Sequence, residues 1–275
     1  MSTAQQVDFI RGSTRMFGIV GDPINQVRSP EMVTWAFNQR GIDAIVVPLH
    51  VRSDDFERVM PALMHLANFE GFILTVPFKA RALKFADRVG AQGRILGSVN
   101  QLVRRADGGW SGDMFDGMGC VAALRRRNVW IHGKRLMLIG LGGAGSAIAI
   151  AMAAEQPAFM RIYDPDPARC AQAKGHIERI SPRTEVRIGQ PIVDSMDMLL
   201  NASPVGMLDD PNLPISASTL PPHLVVFDAI TKPEDTPLLG LAIACGCTVI
   251  RGREMMNGQI AKLVDGFLDP GAVAG

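Results

Sequence analysis

The sequence predicts an α/β protein: two α/β domains, the second a Rossmann-type dinucleotide-binding domain. Three observations carry that expectation. Apolar runs of strand length, bounded by turn residues, alternate with helix-length amphipathic segments along most of the chain, the pattern of parallel sheets covered by helices. One run opens directly into a glycine-rich turn, Gly140-Leu-Gly142-Gly143-Ala144-Gly145, that continues as a helical segment. The chain has 275 residues, enough for two modest cores at roughly 100–200 residues per domain.

Taken in order, MFGIVG and AIVVPLHV read as strands flanking a helix that starts at SPEMV, with Ser29 as its cap and Pro30 in its first turn. A second helix is expected after Ser53, at DDFERVMPALMHL, and GFILTV is the next strand. A new unit begins after Gly112. There RLMLIG is a strand, SAIAIAMAA a helix, FMRIYD a strand and PARCAQAKGHIERI a helix, followed by strands at DMLLNAS, LVVFDAI and CTVI. The segment from about Gly252 is helical and returns to the first domain. The expected boundaries are 1–112 plus about 245–275 for one domain and 113–244 for the other.

Composition excludes several classes. The formal net charge is +1, spread along the chain, so no basic stripe points to nucleic acid and no polybasic anchor to a membrane surface. The run Arg125 to Arg127 reads as a solvated helix end. Cys120, Cys170, Cys245 and Cys247 lack metal-ligand or CxxC spacing and the five histidines lack HExxH spacing, so no metal site is expected and a reducing cytoplasm fits. MSTAQQVDFIRG carries an acid and no apolar core, unlike a secretory signal. From Leu136 to Ala154 the chain is uncharged over the length of a bilayer span. The central glycines divide that run into strand, turn and helix, so a soluble protein is expected, monomer or homodimer.

In the turn, glycine lets the backbone turn tightly and approach a pyrophosphate, whose charge then faces a helix N-terminus. This marks Gly140, Gly142, Gly143, Ala144 and Gly145 as cofactor-binding. Asp164 ends the next strand, 19 positions after Gly145, where an acid accepts hydrogen bonds from the adenosine ribose. A carboxylate there repels a 2′-phosphate, so NAD is favoured over NADP; the competing reading is that Asp164 only opens the turn DPDP. A second stretch, FILTVPFKA, delivers Lys79 at the end of an apolar strand. That lysine is either the first solvated residue of a helix or a proton-transfer group in a cleft.

Eight blocks, GDPINQVRSP, LTVPFK, GSVNQL, GDMFDG, GLGGAG, NASPVGM, DTPLL and GREMMNGQ, occur in the order and rough spacing of the shikimate/quinate dehydrogenase family. The sequence resembles that family from Gly21 to Gln259. The resemblance implies a substrate domain made of the N-terminal part plus the C-terminal helices, a cofactor domain between them, and a nicotinamide facing a cyclic polyol across the cleft. It implies Lys79 and Asp116 as the catalytic pair, Ser29, Thr75, Asn100 and Gln259 as substrate-binding, and Asn201, Ser203 and Met207 as cofactor-binding. The chemistry agrees: oxidising a secondary alcohol by hydride transfer requires its proton to leave, and a neutral amine oriented by a carboxylate can accept it.

The departures from the family pattern concentrate at one end. Where the substrate carboxylate is typically held by two hydroxyl side chains and a tyrosine, this chain has Val27, Ser29 and Thr231. Ile73 stands in place of an asparagine, and VNQ, with Gln101, in place of VNT. A lost charge-assisted hydrogen bond costs roughly 1.5–3 kcal/mol, so shikimate itself is expected to bind poorly unless Arg28 or Gln101 rebuilds the site. The NRT that commonly follows the second cofactor strand is replaced by DPD, again favouring NAD. The expected function is an NAD(P)-dependent oxidoreductase acting on a shikimate/quinate-like cyclic polyol with an altered carboxylate end. The alternatives are an ordinary shikimate dehydrogenase and a non-catalytic ligand or NAD sensor.

Overall fold

A computed structural model of the chain describes residues 10–271. The N-terminal stretch read as lacking a signal and the small-residue tail GAVAG fall largely or wholly outside those residues.

The first sheet comprises β1 (Arg15–Gly21), β2 (Ala44–His50), β3 (Phe69–Leu74), β4 (Arg88–Val89), β5 (Gln101–Arg104) and β6 (Trp110–Asp113), in the order β2-β1-β3-β5-β6-β4. It is mixed rather than parallel: β5 runs antiparallel to both β3 and β6. The physical reason is connection length. Arg105 to Gly109 is too short for a crossover and forces a hairpin between β5 and β6. The associated helices are α1 (Ser29–Gln39), α2 (Phe56–His65), α3 (Lys79–Ala82) and α4 (Ala91–Leu96). Ser29 is the first helical residue rather than the cap; Arg28 holds the cap position and no side chain closes it. The second helix starts at Phe56 rather than at Asp54, because Ser53–Asp55 form a short 3-10 turn first.

Helix α5 (Asp116–Arg126) leads into the second sheet, made of β7 (Arg135–Ile139), β8 (Phe159–Tyr163), β9 (Glu185–Ile188), β10 (Met198–Asn201), β11 (Val225–Asp228) and β12 (Thr248–Ile250). All pairings are parallel in the order β12-β11-β10-β7-β8-β9, the doubly wound arrangement in which ligands bind beyond the carboxyl ends of the central strands. Its helices are α6 (Gly143–Ala154), α7 (Pro167–Ile180) and α8 (Pro237–Ala244), and α9 (Gly252–Leu268) closes the chain. The second sheet thus extends to Ile250, past the expected end at 244. The uncharged run from Leu136 is β7, a turn and the largely buried α6, and no described helix is long and apolar enough to cross a membrane.

Period-2 alternation puts Ile73 on one face of the first sheet and Phe72 and Leu74 on the other, giving two apolar clusters. Leu263, Val264 and Phe267 of α9 belong to the Ile73 cluster, with the Phe267 ring 4.3 Å from that of Phe17. Burying such a ring contributes about 1.5–3 kcal/mol, which returns the C-terminal helix to the first sheet. Beside it α9 meets α5 almost backbone to backbone: a Cβ at Gly258 would stand 2.7 Å from the Gly119 carbonyl oxygen, and one at Gly119 2.6 Å from that of Met255.

Candidate active site

The turn after β3 is closed by the Phe78 N–H on the Thr75 carbonyl, and Phe78 is fully buried with its ring stacked 4.1 Å from Phe56. This anchored ring delivers Lys79 as the first residue of α3. Arg81, two positions on, donates to Ser53 and Glu57 and lies over the Phe56 and Phe78 rings, holding that short helix in place.

Asp116 is the first residue of α5 and is 6% exposed. One carboxylate oxygen accepts from Lys79 Nζ at 2.5 Å. The other accepts from Asn100 Nδ2 at 2.7 Å and Gln259 Nε2 at 2.5 Å. Burial alone pushes this carboxyl up, but the Lys79 ammonium and the two amide donors outweigh it and hold the group below the ordinary carboxylate range. Asn100 is itself fixed, its carbonyl accepting the Phe115 N–H at 3.0 Å. Each amide keeps a second N–H, and Gln259 keeps its carbonyl as well.

Val27, Ser29, Thr75, Lys79, Asn100, Asp116, Thr231 and Gln259 all line one cavity of about 220 Å³, with Ala144 of the second unit on its edge. Its composition is divided. Lys79, Asn100, Asp116 and Gln259 make a polar cluster, whereas Val27, Ile73 and Leu263 come from one apolar cluster. Sequence reasoning missed Met255, Met256 and Leu263, which also line it. Their spacing from Gln259 (four and three residues before, four after) was the available signal, since such residues share a helix face. Of the two candidates for a rebuilt carboxylate site, Gln101 is excluded: it is fully buried and donates to the Leu263 carbonyl. Arg28 lines the cavity but its half-exposed guanidinium is engaged by Glu31.

The glycine turn lies next to this cavity. Gly140 has φ +86°, and a Cβ on Gly145 would stand 1.9 Å from the Gly140 carbonyl oxygen, so both positions require glycine. A Cβ on Gly142 would meet nothing within 4 Å, and one on Gly143 would meet only Lys79, at 3.8 Å. The turn is tight inside and open outside, a cradle that fits a pyrophosphate at the N-terminus of α6. Asp164 fastens the end of β8 to this turn: its two oxygens accept from the Leu141 N–H at 2.7 Å and the Asp166 N–H at 2.9 Å, with Arg169 3.9 Å away.

Asn201 is not on the site's surface. It is fully buried, accepts from the Ser203 N–H and hydroxyl, and donates to Asp228, bracing the loop that follows β10. Its side chain therefore holds the loop rather than facing a cofactor. Ser203 touches the glycine turn through its backbone, while Met207 is 45% exposed. Asp228 is buried with only neutral donors, Asn201, Thr236 and the Ile230 N–H, and desolvation pushes its carboxyl up to about 6.

The family model for the shikimate dehydrogenase substrate binding domain matches residues 19–102. A shikimate dehydrogenase (NADP(+)) of Dinoroseobacter shibae is 31% identical over 247 residues, covering 89% of this chain and 88% of the relative. The structure of shikimate 5-dehydrogenase from Listeria monocytogenes in complex with shikimate and NAD is 26% identical, with a TM-score of 0.85 over 96% of this chain and 94% of that one. The ligand-free 5-ketofructose reductase of Gluconobacter sp. strain CHM43 is 25% identical, with a TM-score of 0.82 over 96% and 98%. With that identity along nine-tenths of its length and the shared two-domain α/β fold, the chain belongs to the shikimate/quinate dehydrogenase family and is an NAD(P)-dependent oxidoreductase.

Proposed function

We propose that the protein exchanges a hydride between NAD and a secondary hydroxyl of a shikimate/quinate-like cyclic polyol that lacks a carboxylate in the family's usual place. The observation carrying this reading is the mixed lining of the cavity: the Lys79–Asp116 cluster with its two amides shares it with an apolar set of Val27, Ile73 and Leu263. An anion against that apolar set is desolvated without a partner. The neighbouring 5-ketofructose reductase suits the same reading, since a ketosugar carries no carboxylate.

The geometry supports these roles. A nicotinamide held beside Lys79 would supply the hydride acceptor or donor. Lys79, in its neutral form, takes the hydroxyl proton during oxidation, and Asp116 holds Nζ toward the reacting oxygen. The spare N–H groups of Asn100 and Gln259, with Thr75, hold ring hydroxyls, and Ser29 and Thr231 meet the far end of the ring. The first sheet with α9 forms the substrate domain and the second sheet the cofactor domain. Gly140 to Gly145 bind the pyrophosphate, and Asp164 accepts from the ribose with its remaining lone pairs, favouring NAD. Four free cysteines suit a reducing cytoplasm.

One observation favours a second reading. Arg28 lines the cavity, and by leaving Glu31 it would supply a cation for a carboxylate, making this an ordinary shikimate dehydrogenase. Initial rates with NAD and NADP on shikimate, quinate and their carboxylate-free analogues separate the two. Turnover of the analogues above the acids supports the proposal; efficient turnover of shikimate overturns it in favour of Arg28. NAD binding without turnover of anything on the panel would instead favour a sensor.

A further inference from the structure

We infer that Gln101 is a positioning residue for the reaction: it ties α9 to β5 so that Gln259 and Asn100 converge on one oxygen of Asp116. Gln101 sits opposite Ile73 in the sheet register and immediately after Asn100, on the face that α9 covers. Its Nε2 donates to the Leu263 carbonyl at 2.7 Å across 162 positions of sequence. Leu263 lies one helical turn beyond Gln259, so the bond holds the stretch of α9 that presents Gln259. Asn100 and Gln259 then meet at Asp116 Oδ1, one from each of the two elements that Gln101 joins.

Two further observations favour positioning over stability. Gln101 Oε1 is buried and has no hydrogen-bond partner among the described residues, so an apolar side chain would suit the fold at least as well. Gln259 itself borders the close contact of α9 with α5, its Cβ 3.1 Å from where a Cβ at Gly119 would stand, so the position of α9 decides where its amide reaches.

The inference rests on the proposed role of the Lys79–Asp116 pair, and one of its two readouts needs no turnover. In ¹H–¹⁵N spectra of the full chain, the Gln259 side-chain amide, assigned by its loss in Gln259→Leu, should shift in Gln101→Leu and in Gln101→Met. An unmoved resonance in a folded variant overturns the inference whether or not any substrate reacts. With the best ring alcohol from the panel, either Gln101 variant should raise KM about 3–10-fold, the equivalent of one hydrogen bond, with kcat little changed. Because Gln101 acts through Gln259, that effect should vanish in the Gln259→Leu background. Additive effects in the double variant, or a loss that only tracks Tm, would overturn it.

Discussion

The two sides of the cavity are built on opposite terms. Around Asp116, four side chains from α3, the residue just before β5, α5 and α9 satisfy one another, and a buried carboxylate stays ionised because a lysine touches it. Elsewhere in the lining, Val27, Ile73 and Leu263 ask only for apolar contact. A second comparison isolates the cause. Asp228 is as buried as Asp116 but has neutral donors only, and its carboxyl rises to about 6, whereas that of Asp116 falls. Hydrogen bonds satisfy both groups; the lysine beside Asp116 is what turns its carboxyl downward while that of Asp228 rises.

The largest expected effect breaks the polar side. Lys79→Ala should lower kcat by about 10²-fold or more while a fluorescence titration shows NAD affinity little changed. Carbon NMR of the carboxyls should then find Asp116 titrating above the ordinary range, as Asp228 does. Retained turnover would remove Lys79 from the chemistry.

Next comes Asp228. Its folded value, about 6, lies above the unfolded value near 3.8, so the folded state holds the proton more tightly. Stability from this group is therefore full below about 3.8, falls as pH rises to about 6, and is flat beyond, a loss of about 3 kcal/mol. Asp116 has the opposite sign: its contribution is present above 3.8 and is lost only as pH falls below that. Urea denaturation from pH 4 to 7 should show this decline in the native chain and a flatter profile in Asp228→Asn. Equal slopes would place the charge cost elsewhere.

The apolar side is tested by rebuilding it. Val27→Ser with Thr231→Tyr should raise kcat/KM for shikimate relative to its carboxylate-free analogue by about tenfold, the equivalent of one charge-assisted hydrogen bond. An unchanged ratio would mean the apolar set does not set the preference. The smallest effect belongs to the cofactor end: Asp164→Ala should weaken NAD several-fold and narrow its margin over NADP in paired KM measurements.

Much was readable along the chain because it depends on neighbours. The glycine turn follows from torsions and close approaches within six positions, and five strands of the second sheet from apolar runs; the edge strand β9, EVRI, has one buried residue and was not expected. The short β4, β5 and β6 and helix α4 carry too few residues for a period to emerge. Asp116 and Lys79 were marked by their blocks alone, since 37 positions separate them.

What the chain could not express locally is where a polar side chain turns after packing. Asn201 and Gln101 stand in motif positions beside candidate site residues, yet both are fully buried and bond to the protein itself. Gln259 reaches Asp116 across 143 positions only because Phe267 anchors α9 and two glycines let it touch α5. Residue type and spacing determined most of the elements, for these are set by torsion and hydrophobic period, and the family's blocks marked the candidate reacting groups. The tertiary structure decided which donors meet which carboxylate, because that depends on helices placed by burial far from the residues they align.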